Sequence, residues 1–401
     1  MKQIGSLLTA GALALSLVTL PAGAAEAAPA LEETAQAAAQ AALTAGGAQS
    51  IQYALWQDGE IILTGHAGNY SRTENRALTD DILYGVGSVS KTYTAAAVLK
   101  LVDEGKVELD APADTLVSCY YVTTYATMAL GISDRVVGLE KKADTRPIYA
   151  MAAPDLLEKE QVGTMKELDL EAVAALEPDL VVMPKKLMDY AAPLEELGIP
   201  VLVVNPESHE ALTGMLELLG QACGVEDRAQ ALTDYYEEQL ARVAQLVDGL
   251  ERPTVYMGGN SSYLTAAPGD MYQSSLIETA GGVNAAADLT GGYWTEVSYE
   301  SILAMAPQVI LIPAGADYTA QDILGDPQLA AVPAVQSGAV YEMPSGIEEW
   351  DSPIPSGILG TLWMTSVLHG DAYPFDTFTA DVQDFYKTFY GFEIDPALIT
   401  K

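Results

Sequence analysis

Apolar and polar positions along the chain form one arrangement that occurs twice. Residues 168–184 contain a capping residue, a Glu two places on, a short helical pattern, a Pro and an apolar strand, and residues 297–313 repeat that order. The two glutamates, Glu171 and Glu300, are 129 residues apart (300 − 171). This spacing is too long for a solenoid period and favours two similar α/β lobes.

Apolar runs alternate with helical patterns around both repeats. In the first half, strands are predicted over 115–120, 136–139, 161–163 and 201–204, and helices over 123–130 and 192–197. In the second half, strands are predicted over 254–257 and 339–343, and helices over 274–280, 358–368 and 379–390. A polar and aromatic loop is expected after the first of these later strands. Nearly continuous apolar strands are typical of parallel sheets covered on both faces.

The longest helical pattern lies between the two halves. Residues 225–250 contain no Pro and place apolar side chains at helical spacing. About 26 residues at ~1.5 Å each give roughly 39 Å, which is longer than one small lobe requires. We therefore expect a rigid helix that joins the two lobes.

The N-terminus has the pattern of an export signal. Lys2 supplies a positive end, residues 7–20 form an apolar core, and small residues at 22–27 offer a cleavage site. A membrane span is the alternative, but the apolar core is shorter than the ~18 residues that a span needs. Residues 1–24 are therefore predicted to be a signal peptide, and the protein to be exported to the periplasm, the cell surface or the medium.

Charge and composition exclude some classes of function. With 55 acidic and 19 basic residues the formal charge is −36, which disfavours nucleic acid as a partner. The two cysteines, Cys119 and Cys223, are expected to be buried free thiols. The three histidines are too scattered along the chain to form a zinc-like cluster, so no metal site is predicted.

The first hundred residues predict a small separate piece of structure. A helix is expected over 31–45, followed by a hairpin of the runs 51–56 and 61–63 across an Asp-Gly turn. Further on, Ser88 and Lys91 form a Ser-x-x-Lys pattern one helical turn apart. In that geometry the amine of Lys91 can accept the proton of the Ser88 hydroxyl as it attacks an acyl carbon.

This N-terminal piece resembles the start of the serine β-lactamases and penicillin-binding-protein-like hydrolases. The resemblance rests on residues 87–91, the Ala-rich helix after them and residues 105–110, and it covers about 31–112. The later Tyr-x-Asn and Lys-Thr-Gly elements of that family have no counterpart downstream. We therefore expect a truncated fragment in which Ser88 and Lys91 are present but inactive, and a chain that is not an enzyme. The alternative is a serine acyl hydrolase that uses Ser88 and Lys91.

Residues 113–392 resemble a substrate-binding protein of an ABC transporter, of the rigid-helix class that serves ferric siderophores, haem and cobalamin. The resemblance is carried by the two repeats and by residues 128–131, 136–138, 278–284 and 368–369. It implies an α/β fold with two Rossmann-like lobes of parallel sheets joined by one long helix, here preceded by the truncated α+β fragment. It also implies a monomer that needs no cofactor, a metal-chelate ligand in the cleft between the lobes, and a membrane permease as partner.

The predicted domain organisation follows from these segments. It comprises a signal peptide (1–24), the β-lactamase-like fragment (31–112), the first lobe (113–207), the helices that include the connecting helix (208–250), the second lobe (251–370) and a C-terminal helix with its tail (371–401).

The resemblance assigns permease docking to Glu171 and Glu300, and the residues agree with an exposed position. Asp169 and Ser298 are suited to cap the two helices, which places each Glu in a first helical turn. Ligand-binding residues are expected in the loops after strands, at the opposite ends of these elements. The candidates are Tyr120, Tyr121, Thr124, Lys185, Lys186, Tyr190, Ser262, Tyr263, Tyr272, Tyr293, Trp294, Glu349, Trp350 and Asp351.

Overall fold

The chain divides into two compact units, residues 1–87 and 88–401. The computed structural model describes residues 28–46, 50–57, 60–69, 78 and 112–401. In the first unit, helix α1 (Ala28–Gly46) packs on an antiparallel hairpin of β1 (Ser50–Gln57) and β2 (Glu60–Gly68). The predicted helix and hairpin are therefore confirmed.

The first lobe of the second unit contains a six-stranded sheet. Its strands are β3 (Leu116–Ser118), β4 (Val136–Glu140), β5 (Glu160–Thr164), β6 (Glu167–Leu168), β7 (Leu180–Pro184) and β8 (Val201–Val204). They lie in the order β6-β5-β4-β3-β7-β8, and only β6 runs antiparallel to its neighbour. The helices are α2 (Tyr121–Ala129), α3 (Pro147–Ala152), α4 (Leu170–Ala175) and α5 (Ala191–Glu196). Strands β3 and β7 are buried along their whole length, as expected of central strands covered on both faces.

The second lobe contains a similar sheet. Its strands are β9 (Thr254–Gly259), β10 (Ser262–Ala266), β11 (Val283–Asn284), β12 (Thr295–Glu296), β13 (Val309–Ile312) and β14 (Val340–Glu342). The order is β12-β10-β9-β13-β14, and β11 also pairs with β9. In this sheet β10 runs antiparallel to both of its neighbours, β9 and β12. Its helices are α8 (Tyr272–Thr279), α9 (Tyr299–Met305), α10 (Ala320–Leu324) and α11 (Pro333–Ser337). The predicted loop after β9 is wrong over residues 262–266, because Thr265 and Ala266 pair with β12 and extend the sheet.

Helix α7 (Glu226–Val247) connects the lobes after helix α6 (His209–Cys223), and it confirms the predicted long helix. Its N-terminal turn follows a left-handed Gly224, which ends α6. One face of α7 packs against α6 and against α12 (Gly357–Leu368), and the last long helix is α13 (Phe375–Phe389). Within the described ranges, no helix is long and apolar enough to cross a bilayer. Cys119 and Cys223 are buried and free, as predicted.

Tyr236 ties the connecting helix to the start of α12. Its side chain is fully buried, its hydroxyl donates to the carbonyl of Ile354 at 2.9 Å, and it accepts the backbone N–H of Ile358 at 3.0 Å. The Ile358 amide lies in the first turn of α12, where it has no acceptor within its own helix. The hydroxyl of Tyr236 therefore satisfies two buried backbone groups in the segment that leads into α12.

Replacing Tyr236 by Phe should destabilise the second unit by about 2 kcal/mol or more, because two buried backbone groups lose their partner. Urea unfolding followed by tryptophan fluorescence measures the change. Tyr235→Phe is the matched control: it lies on the same helix, its hydroxyl bonds to nothing in the described part of the chain, and its loss should cost less than ~0.5 kcal/mol. Equal losses in the two variants would contradict the assigned role of the Tyr236 hydroxyl.

Candidate functional site

A cleft of about 540 Å³ lies between the two lobes. Loops that follow strands β3, β4, β5, β7, β8, β9, β13 and β14 all contribute to its lining. The carboxyl ends of parallel strands meet at one edge of a sheet, so the two sheets present these loops to each other. The cleft is lined by Tyr120, Tyr121, Val122, Arg146, Met165, Lys186, Glu207, Asn260, Asp270, Met271, Tyr272, Gln273, Gly292, Tyr293, Trp294, Ala314, Glu349, Asp351, Ser352 and Pro353.

Aromatic side chains form the wall contributed by the first lobe. The ring of Tyr121 packs edge-on against Tyr120 and Tyr125, with centroids 5.8 and 5.5 Å apart. The guanidinium of Arg146 lies over the Tyr121 ring, 4.3 Å from its centroid. Burial raises the pKa of Tyr121 to about 12, so its hydroxyl is neutral at physiological pH.

The first lobe is linked to the loop after β14 by a small polar network. Arg146 Nε lies 3.6 Å from a carboxylate oxygen of Glu349, and the Tyr125 hydroxyl donates to the other oxygen at 3.1 Å. The Tyr121 hydroxyl donates to Ser352 Oγ at 3.4 Å. Both ends of the Arg146–Glu349 pair are partly exposed to the cleft, so the pair contributes little to stability and is accessible to a ligand.

The wall contributed by the second lobe is shaped by a loop that Asp270 holds in place. The Asp270 carboxylate accepts the backbone N–H groups of Gly291 and Gly292 at 3.1–3.3 Å, and these bonds lower its pKa. Gly292 has a left-handed φ of 62°, which favours glycine at this turn. The turn brings Tyr293 and Trp294 into the cleft lining.

Two buried carboxyls lie in the loop of residues 343–356. Burial raises the pKa of both Glu348 and Asp351 to about 7. Glu348 faces away from the cleft, where its carboxyl accepts the hydroxyls of Tyr386 and Tyr390. Asp351 faces the cleft. One segment therefore supplies one carboxyl to the protein interior and another to the site.

The sequence-predicted ligand residues divide into two groups. Those that line the cleft are Tyr120, Tyr121, Lys186, Tyr272, Tyr293, Trp294, Glu349 and Asp351. Those outside the lining are Thr124, Lys185, Tyr190, Ser262, Tyr263 and Trp350.

Three of the outlying residues have partners that account for their position. Thr124 is buried and donates to Glu140 at 2.7 Å. Tyr263 donates to Asp326 at 2.9 Å, and Trp350 donates through its indole N–H to Tyr386 at 3.0 Å. These side chains form hydrogen bonds with polar groups outside the cleft and so do not line it.

Sequence reasoning missed several residues of the lining. Arg146 lies six residues after the end of the predicted strand β4 and directly before the short helix α3, which the sequence did not predict. Asn260 directly follows strand β9 and Glu207 follows β8, so the rule that loops after strands form the site was sufficient to find them. Gln273 lies inside α8, where only the structure shows which face meets the cleft.

Glu171 and Glu300 are exposed in the first turns of α4 and α9. Asp169 and Ser298 cap these helices, accepting backbone N–H groups at 3.0 and 3.1 Å. Each helix leads into a parallel strand and so begins at the carboxyl edge of its sheet. The two glutamates thus lie at the same edge as the cleft loops, rather than at the opposite ends of the elements as expected.

Two sequence hypotheses concern other sites. Ser88 and Lys91 lie outside the described residues, so the structure gives no geometry for them. Among the described residues no group of three or more His, Cys, Asp or Glu side chains is placed to hold a metal ion.

Comparison with known proteins finds two families. The sequence profile of a family described as periplasmic binding protein matches residues 116–346. A profile described as β-lactamase matches residues 35–137, which is the N-terminal piece and the first strands of the first lobe.

Individual relatives match most or half of the chain. The molybdate-binding protein MolA of Haemophilus influenzae is 24% identical over 341 residues, or 77% of this chain and 95% of MolA. The vitamin B12-binding protein of Yersinia pestis is 24% identical over 50% of this chain and 69% of its own length. Among solved structures, a periplasmic solute-binding protein from Veillonella parvula has a TM-score of 0.65 at 26% identity, covering 72% of this chain and 90% of that one.

The buried Glu348 should make stability depend on pH. A carboxyl whose pKa is about 7 when folded and near 4.5 when unfolded stabilises the fold fully below pH 4.5, and this contribution is lost as the pH rises through 7. Between these values the free energy of unfolding should fall by on the order of 1 kcal/mol per pH unit on account of this group. Glu348→Gln should flatten that decline in chemical denaturation at pH 5 to 8. Glu237→Gln, on the exposed face of α7, is the control and should keep the wild-type slope; an unchanged slope in Glu348→Gln would contradict the assignment.

Proposed function

The chain belongs to the family of periplasmic binding proteins, the solute-binding components of ABC transporters, and we propose that it captures an iron complex or cobalamin in the cleft between its lobes. The iron complex is a ferric siderophore or haem. A membrane permease is the partner to which the loaded protein delivers its ligand. The family membership identifies a solute-binding protein, and the proposal adds the class of ligand that it binds.

The observation that carries the ligand class is the aromatic lining of the cleft. Tyr120, Tyr121, Tyr293 and Trp294 contribute flat side chains to a volume of about 540 Å³. That volume falls in the range of sites that enclose drug-sized molecules, and aromatic faces suit large planar or chelated ligands. The similarity to a vitamin B12-binding protein supports the same class.

Purified protein should be stabilised against heat by a ligand of this class. A ligand at 100 times its Kd adds about 2.7 kcal/mol to the stability of the protein that binds it. Thermal unfolding is therefore measured with a ferric siderophore, haem and cobalamin, each added in turn. Trp294→Ala should reduce the shift, whereas Tyr190→Ala, an aromatic outside the cleft lining, should leave it unchanged. No shift with any of the three ligands would contradict the proposed ligand class.

The same family membership supports a docking role for Glu171 and Glu300. One exposed carboxylate lies on each lobe, at the edge where the cleft loops lie. Glu300 is held in its charged form, because hydrogen bonds from its own backbone amide and from Ser298 lower its pKa. Charged groups on the rim of an interface contribute mainly to the rate and orientation of association. We propose that basic groups of the permease pair with these two residues.

Replacing both docking residues should separate transport from binding. Glu171→Ala with Glu300→Ala should abolish ligand uptake in cells while leaving the Kd of the purified protein unchanged, since neither side chain lines the cleft. The matched control replaces two other exposed glutamates, Glu196 and Glu237, and should transport normally. A weaker Kd in the double variant, or normal uptake, would contradict the docking assignment.

A further inference from the structure

We propose that the floor of the cleft selects a ligand that donates hydrogen bonds and presents no negative charge there. This favours ferric hydroxamates and cobalamin over haem, and it excludes bare oxyanions such as molybdate. The inference rests on the proposed capture of a ligand in the cleft and narrows its ligand class. It is carried by three side chains, Asp351, Gln273 and Tyr272, which we call the acceptor patch.

Asp351 is the central residue of the acceptor patch. Its side chain is 3% exposed and lines the cleft, yet its Oδ1 atom has no hydrogen-bond partner within the described structure. The backbone carbonyl of the same residue accepts the side-chain N–H of Gln273, which holds Asp351 against the start of α8. The unpaired oxygen therefore has a fixed direction and a free capacity to accept a hydrogen bond.

Gln273 and Tyr272 extend this patch from the start of α8. The amide nitrogen of Gln273 donates to the backbone carbonyl of Asp351 at 2.9 Å, which fixes the amide and leaves its Oε1 as the free atom. Gln273 Oε1 and the Tyr272 hydroxyl are both buried without a partner in the described residues, and both side chains line the cleft. Two fixed acceptors and one hydroxyl thus lie at the surface that a ligand contacts.

Unpaired buried polar atoms have an energetic consequence for the empty protein. A buried acceptor without a partner has lost its hydrogen bonds to water and gained none in return, so native proteins leave few of them. A ligand that donates an N–H or O–H to the patch recovers this cost. A ligand that brings only acceptors leaves Asp351 Oδ1 and Gln273 Oε1 unpaired and can accept a hydrogen bond only from the Tyr272 hydroxyl. The acceptor patch therefore destabilises the empty protein and makes the loaded protein selective for ligands that donate hydrogen bonds.

The charges of the lining act in the same direction. Its carboxylates belong to Glu207, Asp270, Glu349 and Asp351, whereas its cationic side chains are Arg146 and Lys186. The guanidinium of Arg146 is already engaged by Glu349 and by the ring of Tyr121. A dianion on the cleft floor would face four carboxylates and two cations, of which Lys186 has no ion-pair partner among the described residues. A ligand with a neutral or cationic hydrogen-bond donor is instead attracted by these carboxylates.

Calorimetric titration of the purified full chain with ferrioxamine B, cyanocobalamin, haemin and molybdate tests the inference at pH 8. Wild-type protein should bind ferrioxamine B or cyanocobalamin more tightly than haemin and should not bind molybdate. Asp351→Asn should weaken that binding at least ten-fold, because the amide has one acceptor oxygen in place of two and carries no negative charge to attract a donor. The melting temperature of the empty variant should stay the same or rise, which a merely structural role for Asp351 does not predict.

Glu348→Gln is the matched control, since it changes a buried carboxyl of the same loop that faces away from the cleft; it should leave the Kd unchanged. Wild-type affinity in Asp351→Asn would overturn the acceptor patch and leave the proposed function standing. Binding of molybdate or haemin in preference to the other two ligands would also overturn the inference. Binding of none of the four would overturn the proposed function, and the inference with it.

Discussion

The packing of helix α7 against α6 and α12 is the constraint on which the rest of the structure depends. Leu232, Tyr236 and Val243 are buried along one face of α7, so the helix belongs to the same continuous core as both lobes. Because one apolar core runs through the connection, the two sheets are held with their carboxyl edges toward each other. The cleft and its lining follow from that placement.

The sequence predicted the elements better than the site. Repetition, apolar strands and an unbroken helical pattern are local properties, and they identified the two lobes and the connecting helix. Which side chain enters the cleft is decided by distant partners. The Thr124 side chain points away from the cleft because its hydroxyl donates to the buried carboxyl of Glu140. The Trp350 side chain does so because its indole N–H donates to the hydroxyl of Tyr386. Arg146 was missed because its partner, Glu349, lies about two hundred residues away in the sequence and only the fold joins them.

Chain direction connects the cleft with the two proposed docking residues. A helix that leads into a parallel strand begins at the carboxyl edge of the sheet, where the loops after the strands also lie. The glutamates capped by Asp169 and Ser298 therefore share an edge with the aromatic walls of the cleft. A permease that contacts both glutamates would approach the protein over the opening from which the ligand must leave.

The tie between Tyr236 and the first turn of α12 also bears on the kinetics of transport. A buried hydroxyl that bonds to two backbone groups of the segment leading into α12 restrains the connecting helix at that point. If the lobes keep their spacing, a ligand leaves the cleft when the loops at its rim move. The residence time of the ligand then depends on a few surface segments. A membrane partner that binds and displaces those segments can set the rate of ligand release.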